Sequence, residues 1–294
     1  MTLGRRTLGL LAAAMAFAAP ALAHAGSPPA DRWFTTTDGV KLHYVEAGPA
    51  GAPPILFVPG WTMPAWIFDR QVAGLSDRYR VFVLDPRGQG RSDIPATGYE
   101  PVRRGKDVGE LVARIDRPVV IVGWSLGVLD TLSYLRASGD GRVAGLILVD
   151  NSIGEGPPPA PRGAGPVDRS SADRARARQA FVAGMFSRDP GEGYRTRLTA
   201  DSLRMPVAAE RALLSYPLPR EAWRAAVHST ARPILYVVRP RFREQAEALV
   251  ASRPNARMVV FETAGHALFV DEAERFNALV AGFMARDVQT ARTQ

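Results

Sequence analysis

Cysteine is absent from all 294 residues. This excludes disulfides, thiolate metal sites, a cysteine nucleophile and an N-terminal lipoprotein anchor. Lysine is nearly absent too. Lys41 and Lys106 are the only two among 37 lysines and arginines, set against 29 acidic residues. The net charge of +8 is therefore an arginine charge, scattered except for a local cluster at Arg174, Arg176 and Arg178. No recognition motif and no aromatic-interleaved basic stripe goes with it, so no nucleic-acid partner is expected. Gly88-Gln89-Gly90 lacks the lysine and the helix of a phosphate loop. No internal repeat is found. The apolar run from Leu8 to Ala19 is short for a membrane span.

What is present begins with export. Arg5-Arg6, the apolar run and then Ala21-Leu22-Ala23 read as a signal peptide over residues 1–23. Cleavage is expected after Ala23, or alternatively after Ala25. The adjacent arginines leave a twin-arginine route open. The expected location is periplasmic or secreted, with no stable membrane insertion after cleavage.

The mature chain alternates apolar strands and helices, the pattern of a parallel sheet covered by helices. Strands are expected at Trp33–Thr37 and Val40–Val45, joined at Asp38-Gly39, then at Ile55–Val58, Val81–Leu84, Val119–Val122, Leu146–Val149, Ile234–Val238 and Met258–Phe261. Helices are expected at Trp66–Leu75, Val102–Ile115, Val128–Leu135, Arg243–Ala251 and Asp271–Ala285. Between residues 153 and 230 the pattern breaks. Gly154–Pro166 is too rich in Gly and Pro for a regular element. Helical stretches follow at Ala172–Phe186, Ala208–Leu214 and Arg220–Val227, with no strand. This is read as a helical cap inserted between core segments 31–152 and 231–286.

The stretch around which the rest is organised is Val119-Val120-Ile121-Val122-Gly123-Trp124-Ser125-Leu126-Gly127. Four β-branched residues make a strand buried on both faces. Gly-x-Ser-x-Gly then turns into a helix, the context of a nucleophile elbow. Such a turn lifts the Ser125 hydroxyl to a helix N-terminus, where amide donors favour negative charge. A helix-capping serine in a Gly-rich turn would share the motif, but not the strand–turn–helix setting.

Taken together, the chain from Trp33 to Ala285 resembles the α/β-hydrolase superfamily. The resemblance rests on four landmarks in order: Pro59-Gly60-Trp61, Asp85-x-Arg87-Gly88-x-Gly90-x-Ser92, Gly123-x-Ser125-x-Gly127 and Gly265-His266. The usual His-Gly after the third strand is Pro59-Gly60 here. The Gly-Trp-Ser-Leu-Gly elbow is similar to that of some carboxylesterases in the family. The resemblance implies an α/β fold, a mostly parallel sheet with helices on both faces, and no cofactor or metal. The activity implied is cleavage of a small-molecule ester or related acyl bond.

A serine nucleophile needs a base, a group that orients the base, and donors for the oxyanion. His266 follows the last strand and is the candidate base. His24 lies at the cleavage site, His43 on an early strand and His228 at the end of the insertion. The acid is harder to place. Most family members carry it after the seventh strand, where this chain has Arg239-Pro240-Arg241-Phe242-Arg243-Glu244-Gln245. Glu244 is the one carboxylate there, at the start of the next helix, where a helix N-terminal charge explains it. Asp150, at the end of the sixth strand, is the preferred candidate; some haloalkane dehalogenases of the superfamily place their acid there. Asp271 reads as a cap for the last helix, and Asp85 as part of a structural turn. The backbone amides of Trp61 and Leu126 are the expected oxyanion donors. Trp61, Trp124, Met63, Trp66, Phe181 and Met185 are expected to line the pocket, although plain core packing would explain each of them equally. Ser125 argues against the aspartate-dependent dehalogenases and epoxide hydrolases. A cofactor-free haloperoxidase or perhydrolase, or a ligand-sensing protein that keeps the triad, stays open. Substrate identity and oligomeric state are not readable.

Overall fold

The computed structural model of the chain describes residues 28–158, 171–215 and 217–288. The expected signal peptide and part of the Gly/Pro-rich stretch lie outside the described residues. Among the described residues eight strands form one sheet: β1 (Ala30–Thr35), β2 (Lys41–Ala47), β3 (Pro54–Val58), β4 (Arg80–Asp85), β5 (Val119–Trp124), β6 (Val143–Val149), β7 (Ile234–Val238) and β8 (Ala256–Val260). Their spatial order is β1-β2-β4-β3-β5-β6-β7-β8. β1 and β2 are antiparallel to their neighbours, and the rest of the sheet is parallel.

The apolar runs are continuous because both faces are covered. Side chains alternate across the sheet with period two. Leu56, Ile121, Leu148 and Tyr236 enter one core, with α2 (Pro101–Val112), α3 (Leu126–Ser138) and α8 (Arg243–Ser252). Ile55, Val122, Ile147 and Val237 enter the other, with α1 (Asp69–Leu75) and α10 (Ala273–Phe283). Phe269 lies deep in this second core, stacked on Phe68 at 4.4 Å and edge-on to Trp124 at 5.0 Å. Fully burying one such side chain contributes roughly 1.5–3 kcal/mol.

The segment between β6 and β7 carries α4 (Ser171–Ala183), α5 (Glu192–Leu203), α6 (Val207–Leu213) and α7 (Arg220–His228), and no strand among the described residues. α5 has no counterpart in the expected helices: its start, Gly191-Glu192-Gly193, reads as a breaker, and its apolar positions are sparse. Packing supplies what propensity does not, since Leu198 is buried and Tyr194 meets Trp66 edge-on at 5.0 Å. The helix expected at Trp66–Leu75 begins with a 3₁₀ turn, Ala65–Phe68. The helix expected from Asp271 is two pieces, α9 (Leu268–Asp271) and α10. Asp271 does not cap α10. Its carboxylate accepts from the Gly265 and Ser187 amides at 2.7 and 2.8 Å, so tertiary donors outcompete the local cap. Among the described residues no helix is long and apolar enough to cross a membrane.

Candidate active site

At the carboxyl end of β5 the chain turns abruptly. Ser125 adopts φ 54°, ψ −119°, a conformation that L-residues avoid. The turn is forced by proximity. A Cβ on Gly127 would lie 2.1 Å from the Val58 carbonyl oxygen, and one on Gly123 would lie 2.6 Å from that of Gly127. Only glycine lets α3 sit this close to β3 and β5. The strained serine is tied down by Ser125 N–H donating to Val149 O at 2.9 Å, and by the Asn151 amide donating to Ser125 O at 2.8 Å. Among the described residues three non-glycine positions have positive φ: Thr62, Ser125 and Asp150. Ser125 and Asp150 directly follow β5 and β6, and Thr62 lies in the loop after β3, where strain is held because the surroundings over-determine it.

His266 follows β8. Its Nε2 lies 2.9 Å from Ser125 Oγ and its Nδ1 lies 2.6 Å from Asp150 Oδ2. An ionised carboxylate only accepts, so Nδ1 carries the hydrogen of the neutral ring and Nε2 is left to accept from the serine. The backbone on either side is fixed: Gly265 N–H donates to Asp271, Ala267 N–H to Met185 O at 2.9 Å, and Trp124 Nε1–H to His266 O at 2.9 Å.

Asp150 follows β6 with φ 49° and is 2 % exposed. Burial alone pushes its carboxyl up. The hydrogen bond from His266, the His266 charge and the Arg239 guanidinium outweigh that and hold it below the usual value of 3.8. Arg239 gives two donors, its Nε to Oδ2 at 2.7 Å and its backbone N–H to Oδ1 at 3.1 Å. Glu244 lies elsewhere, exposed in the first turn of α8. The carboxylate at the imidazole is therefore Asp150's.

The loop after β3 lies against Ser125, where a Cβ on Gly60 would be 3.0 Å from Ser125 Cβ. Thr62 N–H donates to Gln89 Oε1 at 2.8 Å, and the Gln89 amide donates back to Gly60 O and Met63 O. Leu126 is the first residue of α3, so its N–H has no carbonyl one turn earlier in that helix. Helices from the insertion press on this loop. Trp61 Nε1–H donates to Glu210 O at 3.0 Å, Phe181 stands edge-on to Trp61 at 5.2 Å, and the Arg178 guanidinium lies 4.4 Å over the Trp61 ring.

The other expected pocket residues sit differently. Met63, Trp124 and Met185 are at most 2 % exposed and belong to the core. Their apolar bulk is worth more packed there than lining an open site. Trp66 turns away and donates to Asp201 at 2.6 Å. It faces a cavity of about 430 Å³ shared with His43, Asp85 and Arg91. His43 is buried, with Asp85 on one ring nitrogen at 2.7 Å and Asp31 on the other at 2.9 Å. Among the described residues no group of three or more His, Asp or Glu is placed to hold a metal ion. Sequence reasoning missed Gln89, Asn151 and Arg239. Gln89 lay inside a recognised motif and Arg239 in the segment searched for a carboxylate, but an arginine there was not read as a partner for the acid; Asn151 is a polar loop residue without a local signature.

Residues 55–279 match the family model described as "Alpha/beta hydrolase family". Over 117 residues the chain is 38 % identical to a non-heme chloroperoxidase of Streptomyces lividans, covering 39 % of this chain and 42 % of that one. Over 119 residues it is 32 % identical to a bifunctional esterase/perhydrolase of Acinetobacter calcoaceticus, covering 40 % and 43 %. The matched segments thus span about two-fifths of the length of these relatives. In three dimensions the chain resembles a Burkholderia cenocepacia protein described as a candidate aryl esterase: TM-score 0.80, 25 % identity, 90 % of this chain and 100 % of that one.

Proposed function

Since the chain belongs to the alpha/beta hydrolase family, we propose that it is a serine hydrolase cleaving a small-molecule carboxylic ester through Ser125, His266 and Asp150. The observation that carries this is the continuous line of contacts from Ser125 Oγ to His266 Nε2, and from His266 Nδ1 to Asp150. Ser125 Oγ attacks the ester carbonyl carbon and its proton passes to His266 Nε2. The amides of Trp61 and Leu126 hold the oxyanion. The imidazolium then returns the proton to the departing alkoxide, and an alcohol leaves. Water, deprotonated by the same histidine, releases the acid from the acyl-enzyme. Arg5-Arg6, the apolar run that follows and Ala21-Leu22-Ala23 support export, with the mature chain beginning at His24 or Gly26.

A second reading has its own support. The match to a chloroperoxidase and to an esterase/perhydrolase suits a serine enzyme whose acyl-enzyme is intercepted by hydrogen peroxide, releasing a peracid. The test uses the purified mature protein with p-nitrophenyl acetate and butyrate, then with acetate and hydrogen peroxide. Ester turnover, a fluorophosphonate probe labelling Ser125 alone, and a roughly million-fold loss of kcat in Ser125→Ala are expected. Peracid formation exceeding ester hydrolysis favours the second reading. Absence of both reactions leaves a binding protein.

A further inference from the structure

The segment after β7, where the resemblance places the catalytic acid of most family members, opens with Arg239 in this chain. We propose that Arg239 is a positioning residue: it clamps the acid relocated to β6 and shares that acid's charge with the base. The proposal deepens, and rests on, the triad reading.

Three observations carry it. First, Arg239 meets Asp150 through two donors of different origin, guanidinium Nε and backbone N–H, one to each carboxylate oxygen. The backbone donor is aimed by sequence, because Pro240 keeps the residue before it extended, and Arg239 has φ −87°, ψ 167°. Second, Asp150 needs holding. It stands at positive φ, and the backbone bond from Asp150 N–H to Val237 O, at 2.9 Å, leaves its side chain free to rotate. Third, Arg239 Nε and His266 Nδ1 converge on the same atom, Asp150 Oδ2, at 2.7 and 2.6 Å. Two cations then compete for one carboxylate oxygen whenever the imidazole is protonated.

That competition has a sign. A guanidinium beside the carboxylate offsets part of the charge that would stabilise imidazolium, so the base stays free at lower pH. Among the described residues, Tyr236, Asp271 and Ser125 do not supply this. The Tyr236 phenol, from β7, donates to Asn151 O and is pushed up by burial and by Asp150. Asp271, from α9, is engaged by Gly265 and Ser187. Ser125, on the far side, is uncharged.

The test is the pH profile of kcat/KM for ester hydrolysis in wild type, Arg239→Met and Arg239→Lys, with KM and kcat measured separately. In Arg239→Met the acidic limb is expected to move to higher pH by about one unit, with kcat reduced several-fold and KM little changed. Arg239→Lys, which restores a cation, should return the limb to within about a third of a unit of wild type. The backbone donor survives in both, and a melting curve close to wild type shows that each folds. An unmoved limb in Arg239→Met, or one moved to lower pH, overturns the assignment. If fluorophosphonate still labels Ser125 in that variant, the hydrolase reading survives that failure. If wild type is not labelled and does not turn over ester, both fall.

Discussion

Trp124, the residue before Ser125, holds the backbone of His266: its indole N–H donates to His266 O at 2.9 Å, and its ring lies 5.1 Å from the imidazole. β5 and the loop after β8 are thereby pinned to one another through a residue buried at 1 % exposure. Trp124→Phe removes the donor and trims the indole to a single ring. A loss of about 2–3 kcal/mol in stability is expected, from the hydrogen bond and the cavity together. A several-fold fall in kcat at constant KM is expected with it. Urea unfolding and steady-state kinetics check both, and an unchanged kcat would show that His266 is held without the indole.

Asp150→Asn keeps the shape of the acid but can present an N–H to an N–H, favouring the wrong imidazole tautomer. By the precedent of the serine proteases, kcat should fall on the order of ten-thousand-fold. Glu244→Gln, exposed on α8, should be silent. A fully active Asp150→Asn would remove the triad acid from the mechanism.

Phe181 is the residue of the insertion in edge contact with Trp61. Phe181→Ala should alter the ratio of kcat/KM between acetyl and longer acyl esters, with the fold retained. A flat profile from C2 to C8 in this variant would mean that the insertion does not set acyl length.

Asp38, in the β1–β2 turn, accepts from the Arg87 guanidinium at 3.0 Å, and that bond holds its carboxyl far below the usual range. A carboxyl lowered on folding stabilises the fold above its unfolded value, near 4, and the gain fades as pH falls below that. Asp38→Asn should therefore cost about 1 kcal/mol at pH 7, modest because the turn is partly solvated. The gap to wild type should narrow below about pH 4, and melting curves at pH 7 and pH 3.5 measure it. An equal gap at both pH values would assign the effect to the turn backbone instead of the charge.

Much of the sheet was legible because its strands are buried on both faces and read as unbroken apolar runs rich in β-branched residues. Ile55–Val58, Val119–Val122 and Ile234–Val238 lie within the strands observed. Helix ends were less legible. Asp271 has the look of a cap, yet its carboxylate serves the amides of Gly265 and Ser187, neither of which belongs to α10. α5 was invisible because its helical state depends on partners such as Trp66 and Trp61's neighbours in the insertion, not on its own propensity.

Local sequence determined whatever depends on neighbours along the chain: the period of the strands, the two glycines that permit the elbow, the serine between them, and the proline that keeps Arg239 extended. Tertiary structure alone decided which carboxylate meets His266, that Arg239 shares it, and that Trp66 faces Asp201 while Trp124 supports the base. These are contacts between residues 89, 116, 135 and 142 positions apart. Their geometry is set by the order and twist of strands in the sheet, and a spacing along the chain carries no record of that.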